Sequence, residues 1–307
     1  MKSLNRLVMA TDFSSVSETA AAFALTLTTE PHTEVHLITV DTTEEGRPTN
    51  EASVLLQRVA DGVRAHHQEL VEGTEGTDRV LDVHPHVITG SDAAEAILSY
   101  AEANDADMVV TGTRGRRGVS RAVLGSVATA VVREAPCPVL TVRETGALPL
   151  RAQHLLVPVD FSTPSNAAVA YAGALAEKIG ARLTVVYVME KQNGNTGYGF
   201  KPSVFGTAEA YKRARKDLAD LVADLPIDAE VKVLDGKPAQ AITAFATAAG
   251  VDGIVMSTRG NSGMKRMLSG SVTEAVMTSA PCPVLVARDF VPFVATEVQE
   301  SEDTAAK

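Results

Sequence analysis

The chain is written twice, and no other feature narrows its possible folds as much. "GTRGRRGVSRAVLGS" at residues 112–126 returns as "STRGNSGMKRMLSGS" at 257–271. From there to "APCPVL" the two copies run without a gap, with 16 of 29 positions identical. "LVMATDFSS" (7–15) returns as "LVPVDFSTP" (156–164), and "EVHLITV" (34–40) as "RLTVVYV" (182–188). The period is the size of a domain, so the chain reads as a duplicated domain and not as a solenoid of short repeats. Its 307 residues accommodate two such units, each long enough to bury a core without disulfides or metals. We expect domains over residues 1–145 and 153–290, joined by "RETGALPLRAQ" (143–153), and a disordered acidic tail over 291–307.

Within the first copy, short apolar runs at 7–10, 35–40, 80–88, 108–111 and 138–142 read as strands. Helical patterns lie between them near 15–29, 50–72, 92–104 and 126–135. The second copy repeats the strands at about 154–159, 182–188, 230–235, 253–256 and 283–287. Runs rich in Val, Ile and Leu suit strands covered on both faces. Strand–helix alternation implies a parallel sheet with right-handed crossovers. The expected fold is therefore α/β: two tandem Rossmann-like domains, each a five-stranded parallel sheet with helices on both faces. The stretch "KQNGNTGYGFKPS" (191–203) reads as an irregular loop.

Bulk properties exclude several functions. The formal net charge of -10 does not suit a chain that coats nucleic acid or an anionic membrane. Aromatics are 4% and Trp is absent, which argues against a stacking platform for single-stranded bases. No apolar stretch approaches a membrane span, and the run before Asp12 is too short for a signal-peptide core. Cys137 and Cys282 stand in identical "APCPVL" settings. They read as core thiols of a reducing cytoplasm, not as a disulfide framework.

In open parallel sheets, ligands bind beyond the carboxyl ends of strands where the strand order reverses. Three features of each copy converge on that edge. Asp12 or Asp160 follows strand one. Gly112-x-x-Gly115 or Ser257-x-x-Gly260 follows strand four. Gly125-Ser126 or Gly270-Ser271 opens the next helix. Asp is also a favoured helix N-cap, but other caps are on offer. Ser15 with Glu18 makes a capping-box pattern, and Ser162 or Thr163 precedes Pro164, which suits a first helical position. A ligand contact and a local turn role both remain open for the Asp.

A helix N-terminus offers unpaired N–H groups and partial positive charge, and Gly lets its backbone approach an anion closely. Ser126 and Ser271 could add hydroxyl donors or be plain N-caps; Ser271 with Glu274 is itself a capping box. Arg114, Arg116, Arg117 and Arg121 crowd the first loop, and Arg259, Lys265 and Arg266 the second. The planar Arg fork suits phosphate. No Walker A motif occurs at either site, and no G-x-G-x-x-G follows strand one.

At these residues the sequence resembles the universal stress protein family, whose ATP-binding members carry G-x2-G-x9-G-[ST] after strand four. Gly112, Gly115, Gly125 and Ser126 match in full; the second copy matches at Gly260, Gly270 and Ser271 but has Ser257 at the leading position. The "TDFS" and "VDFS" starts and the "APCPVL" strands are also similar to this family. The resemblance covers about residues 4–143 and 153–288. It implies an adenine-nucleotide α hydrolase-like fold, domains that pair through their last strands, pseudo-symmetric pairing of the two halves and a further homodimer. It also implies that Asp12 with Val40, and Asp160 with Val188, contact the nucleoside, while the glycine loop holds ribose and phosphates. With their flanking residues, the first site comprises Ala10, Thr11, Asp12, Val40, Gly112, Arg114, Gly115, Gly125, Ser126 and Val127. The second comprises Pro158, Val159, Asp160, Val188, Ser257, Arg259, Gly260, Gly270, Ser271 and Val272. The implied ligand is ATP, with Mg2+ carried on its phosphates, and the implied role is regulation under stress in the cytoplasm, with an unidentified protein partner.

An ATP-hydrolysing enzyme and a structural dimerisation module are the alternatives. No base–nucleophile pair stands at the site, and the seven histidines do not form a metal spacing tied to the glycine loops. A dimerisation module leaves the duplicated arginine–glycine loops without a role.

Overall fold

The computed structural model describes residues 4–28, 30–42, 50–72, 79–113, 124–143, 152–190, 208–258 and 271–287. The first half runs β1 (Arg6–Ala10), α1 (Ser15–Thr26), β2 (His32–Asp41), α2 (Asn50–Val71), β3 (Val80–Thr89), α3 (Ala93–Ala103), β4 (Met108–Gly112), α4 (Ser126–Glu134) and β5 (Val139–Val142). The second runs β6 (His154–Val159), α5 (Thr163–Ile179), β7 (Arg182–Met189), α6 (Ala208–Val222), β8 (Ala229–Asp235), α7 (Pro238–Ala248), β9 (Gly253–Ser257), α8 (Ser271–Ser279) and β10 (Val284–Ala287). Each expected strand and helix of the first copy, and each expected strand of the second, falls on one of these elements. Parts of the linker, the 191–203 loop and the acidic tail lie outside the described residues.

The strand order is β3-β2-β1-β4-β5-β10-β9-β6-β7-β8. All pairings within a half are parallel. The halves join where β5 meets β10 antiparallel, in the register Val139↔Val286, Leu140↔Leu285 and Thr141↔Val284. The two expected five-stranded sheets are thus one ten-stranded sheet.

The interior strands carry apolar residues in both alternation phases because both faces are covered. On β1, Leu7 and Met9 join a core with Phe23 of α1, Leu56 of α2, Leu175 of α5 and Leu218 of α6. Val8 points the other way, into a core with Ile97 of α3, Val131 of α4, Ile242 of α7 and Val276 of α8. The outermost strands β3 and β8 are only partly covered, and exposed residues recur along them.

Local chemistry sets the helix ends. Asp92 caps α3 by accepting from the N–H groups of Ala94 (2.7 Å) and Glu95 (3.0 Å). Helix α5 starts after the Ser162 cap with Pro164 in its first turn, and ends at Gly180, whose φ of 68° favours a residue without a Cβ. A duplicated carboxylate seats strand one of each half. Asp107 Oδ2 accepts from the N–H groups of Asn5 and Arg6, and Asp252 Oδ2 from those of Gln153 and His154. Each Asp directly precedes the fourth strand of its half, so it fixes that strand beside strand one.

Neither cysteine is in a disulfide, and the two are not equivalent. Cys282 is buried, and burial pushes its thiol up to about 12. Cys137 is half-buried, so the reading of both as core thiols applies in full only to Cys282. Among the described residues, no helix is long and apolar enough to cross a membrane.

Candidate functional site

Strand order reverses at β1: β2 lies on one side and β4 on the other. A crevice at the carboxyl end of β1 is therefore the expected ligand position. Ala10 ends β1 and pairs with Thr111 of β4, so the two strands finish side by side. Thr11 continues the line, its N–H donating to Ile38 O at 2.9 Å. Asp12 follows directly. The second half repeats this with β6 between β7 and β9, Pro158 and Val159 closing β6, and Asp160 next.

The turn that carries each Asp is built the same way twice. Asp12 Oδ1 accepts from Ser14 N–H at 3.2 Å and from Ser14 Oγ–H at 2.6 Å. Asp160 Oδ1 accepts from Ser162 N–H at 3.1 Å and from Ser162 Oγ–H at 2.5 Å. Between each Asp and Ser stands a phenylalanine in the left-handed region, Phe13 at φ 62° and Phe161 at φ 60°. That conformation costs a non-glycine residue about 1–2 kcal/mol. Burial offsets it: both rings pack against the same core, and Phe161 lies 5.0 Å from the ring of Tyr187. Strain of this kind, over-determined by its surroundings, concentrates at ligand sites.

The N-cap of α1 is Ser14 and not Ser15; its side chain accepts from Ser17 N–H. Ser15 is the first helical residue, so the capping box with Glu18 does not form at the expected position. The reason lies in the preceding turn. Bonded to Asp12, Ser14 has extended φ/ψ, the conformation typical of an N-cap. In α5, Ser162 caps and Thr163 is the first helical residue, which moves Pro164 one position further in. Asp12 and Asp160 therefore have a turn role, and neither serves as the N-cap.

At the end of β4, Gly112 pairs with Val142. Thr113 donates its N–H to Val142 O at 2.7 Å, and Gly125 donates to Thr113 O at 2.9 Å. This brings the start of α4 back to the strand end. Gly125 is the N-cap of α4 and has no side-chain cap hydrogen bond. Ser126 is thus the exposed first helical residue and not the cap. Being a glycine, Gly125 offers no side-chain acceptor to the N–H groups of the first turn of α4. Val127 is half-buried behind it against the core. In the second half Ser257 ends β9 and is buried, and its carbonyl accepts from Thr273 Oγ at 3.0 Å, which ties α8 to the strand end. Ser271 is the exposed first residue of α8, and Val272 packs behind it.

Val40 and Val188 are each one residue short of the strand end, since β2 runs to Asp41 and β7 to Met189. Both are half-buried against the second core. Arg114, Gly115, Arg259, Gly260 and Gly270, with the other basic residues of the two loops, lie outside the described residues. Two features went unread in the sequence. One is the phenylalanine strain, which "DFS" occurring twice could have signalled. The other is Thr113, buried at the end of β4, whose hydroxyl has no hydrogen-bond partner among the described residues. Among those residues, no group of three or more His, Cys, Asp or Glu is arranged to hold a metal ion.

The fold and its two strand-order switch points define a tandem, doubly wound α/β protein with one candidate ligand site per half. The sequence profile of the universal stress protein family matches residues 4–143 and again 152–288. The chain belongs to the universal stress protein family. It is 29% identical over 296 residues to a universal stress protein of Mycobacterium tuberculosis, covering 92% of this chain and 96% of that one. It is 35% identical over 135 residues to one from Thermus aquaticus, which spans 44% of this chain and 97% of its own length. Two solved structures share the fold across both halves. A universal stress protein from Archaeoglobus fulgidus is 20% identical with a TM-score of 0.60, covering 94% of this chain and 99% of its own. One from Pseudomonas aeruginosa is 16% identical with a TM-score of 0.63, covering 92% and 93%.

Proposed function

We propose that the protein binds ATP at both crevices and acts as a nucleotide-dependent regulator with at most slow hydrolysis. One observation carries this reading. At the switch point after β1, a carboxylate held in a strained turn stands at the same sheet edge as the N-terminus of α4, whose N-cap is a glycine. The Asp suits the hydroxyls and N–H groups of a nucleoside. The glycine-led first turn of α4 suits the phosphates, since its N–H groups and partial positive charge favour an anion. Gly112 and Gly125 keep Cβ atoms out of the way. The Thr113 hydroxyl is a further donor at the strand end. Mg2+ would travel with the phosphates, as the described residues supply no metal cage of their own.

The domains extend over residues 1–145 and 153–290 in this reading. The cytoplasm is the compartment, and a homodimer is the assembly that the family resemblance implies. Calorimetry with ATP and with NAD tests the assignment. ATP should bind and NAD should not; tight NAD binding without detectable ATP binding sinks it. Mass spectrometry of nucleotide that co-purifies with the protein is the independent check.

A further inference from the structure

Six of the seven histidines lie in the first half, and three of them meet on one sheet face under α3. His36 of β2 pairs in register with His84 of β3, and its neighbour Ile38 pairs with His86. Residues two apart on a strand share a face, so His84 and His86 stand together beside His36. The ring centres of His36 lie 5.6 Å from His84 and 5.9 Å from His86, and those two are 6.5 Å apart. Tyr100 of α3 closes the group, with its hydroxyl 2.9 Å from His36 Nδ1 and its ring 5.8 Å from His86. The His36 side chain is 12% exposed, whereas His84 and His86 are open to solvent. The rings do not converge on a metal position.

Neutral imidazoles pack against one another without penalty, but charged ones repel. Counter-charge is committed elsewhere. Glu34 of β2 lies 3.8 Å from His36 Nε2, but its carboxylate is bonded to Arg6 of β1 at 2.8 Å. Asp82 of β3 is bonded to His32 at 2.8 Å. Burial pushes the ionisation of Tyr100 further up, so it brings no negative charge. The same positions of the second half carry no imidazoles. Thr184 stands in register with Glu230, and Lys232 follows two residues on, paired to Glu230 at 2.6 Å. That ion pair persists through mildly acidic pH.

We infer that the imidazole cluster makes the outer edge of the first half an acid-releasable element: on protonation, the second part of β3 loosens from β2 and α3 while the sheet interior stays closed. Burial first, then His84 and His86, hold His36 below the ordinary 6.5; burial first, then His84, does the same for His86. The sign follows from linkage. Below pH 6.5 the released strand binds more protons than the docked one, so docking is complete above pH 6.5 and is lost as the pH falls toward the docked values. Each imidazole that the docked state keeps neutral multiplies the opening equilibrium by up to about tenfold per pH unit. Solvent screening of the exposed rings keeps the total near the value for His36 alone. The start of β3 behaves differently, because protonated His32 holds Asp82 more firmly. The released stretch is thus His84–Thr89. Its Ile88 pairs with Val40, so the element borders the candidate nucleotide site.

Hydrogen–deuterium exchange of the full chain at pH 7.5 and 5.5, corrected for intrinsic exchange rates, tests the inference without added ligand. Between the two pH values the opening of the His84–Thr89 stretch should rise by about tenfold, and that of the Val80–Asp82 start of the same strand should not. The triple variant His36→Gln/His84→Gln/His86→Gln should lose most of this rise. The variant His86→Lys carries a permanent charge and should open the stretch already at pH 7.5. An equal acid response in wild type and the Gln variant, or no response at β3 in wild type, overturns the inference.

Discussion

Replacing Asp12 separates the two roles that one carboxylate has at the first site. Asp12→Asn retains Oδ1, which accepts both Ser14 hydrogen bonds, at 3.2 Å and 2.6 Å, so the turn and the Ser14 cap should survive. It removes the negative charge. A hydrogen bond to a charged group contributes about 1.5–3 kcal/mol, which amounts to about a tenfold to 150-fold loss of ATP affinity. Asp12→Ala also deletes the acceptor. Two bonds that hold a left-handed Phe13 in place are then lost, and about 1–2 kcal/mol of stability should go with them. The pair should therefore diverge: Asn weakens binding with a change in stability under about 0.5 kcal/mol, and Ala weakens both. The measurements are ATP titration calorimetry and urea unfolding followed by far-ultraviolet dichroism. Both are made in a Gly270→Val background so that only the first site reports. An Asn variant that binds ATP like its parent refutes the ligand role; an Ala variant with an unchanged urea midpoint refutes the turn role.

Gly125→Val should abolish binding at the first site with the fold intact, because a branched Cβ at the α4 N-cap fills the approach to its N–H groups; normal ATP titration of this variant would show the phosphates to lie elsewhere. The first site should be several-fold stronger than the second, a difference of about 1 kcal/mol, since Ser257 adds a buried side chain where Gly112 has none; equal affinities in chains retaining one site each remove the asymmetry. Leu140→Ala should cost about 3 kcal/mol in urea unfolding, as Leu140 is 1% exposed and faces Leu285 across the β5–β10 seam. The double variant with Leu285→Ala should cost less than the sum of the two, and strict additivity argues against direct coupling across the seam. His154 is buried with Nε2 2.8 Å from Thr184 Oγ, and burial, then Arg182, hold it below 6.5. Its contribution to stability is complete above pH 6.5 and falls as the pH drops below that, so His154→Gln should flatten the acid loss of the urea midpoint, and identical pH profiles of variant and wild type contradict this.

Much of the fold and half of the site could be read from the amino-acid order. The duplication, the strand–helix alternation and the placement of Asp12 and Asp160 at strand ends all rest on short-range regularities. Apolar periodicity depends on side-chain direction within one element, and a chain of alternating β and α segments has few ways to cover a parallel sheet. What depends on local backbone geometry was less legible. "DFSS" offers two serines as caps, and the choice of Ser14 follows from a turn in which Phe13 is forced to positive φ, a cost that only the surrounding core can sustain. Likewise Gly125, not Ser126, caps α4, because the hydrogen bond from Gly125 N–H to Thr113 O fixes where the helix begins.

The family resemblance implied that the halves pair through their last strands, but the residue-by-residue long-range pairing was decided by tertiary structure. Thr141 Oγ–H donates to Val284 O across 143 residues of chain, at the antiparallel seam that turns two sheets into one. Nothing in either copy of "APCPVL" distinguishes pairing with the other half from pairing with a second chain, since both would bury the same strand face. The imidazole cluster has the same origin. His36, His84, His86 and Tyr100 are scattered along the sequence, and only the parallel register of β2 with β3 and the packing of α3 bring the ring of His36 to 5.6 Å from His84, 5.9 Å from His86 and 5.7 Å from Tyr100. Periodicity places a residue on a face, but which faces and strands become neighbours is set by burial summed over the whole chain.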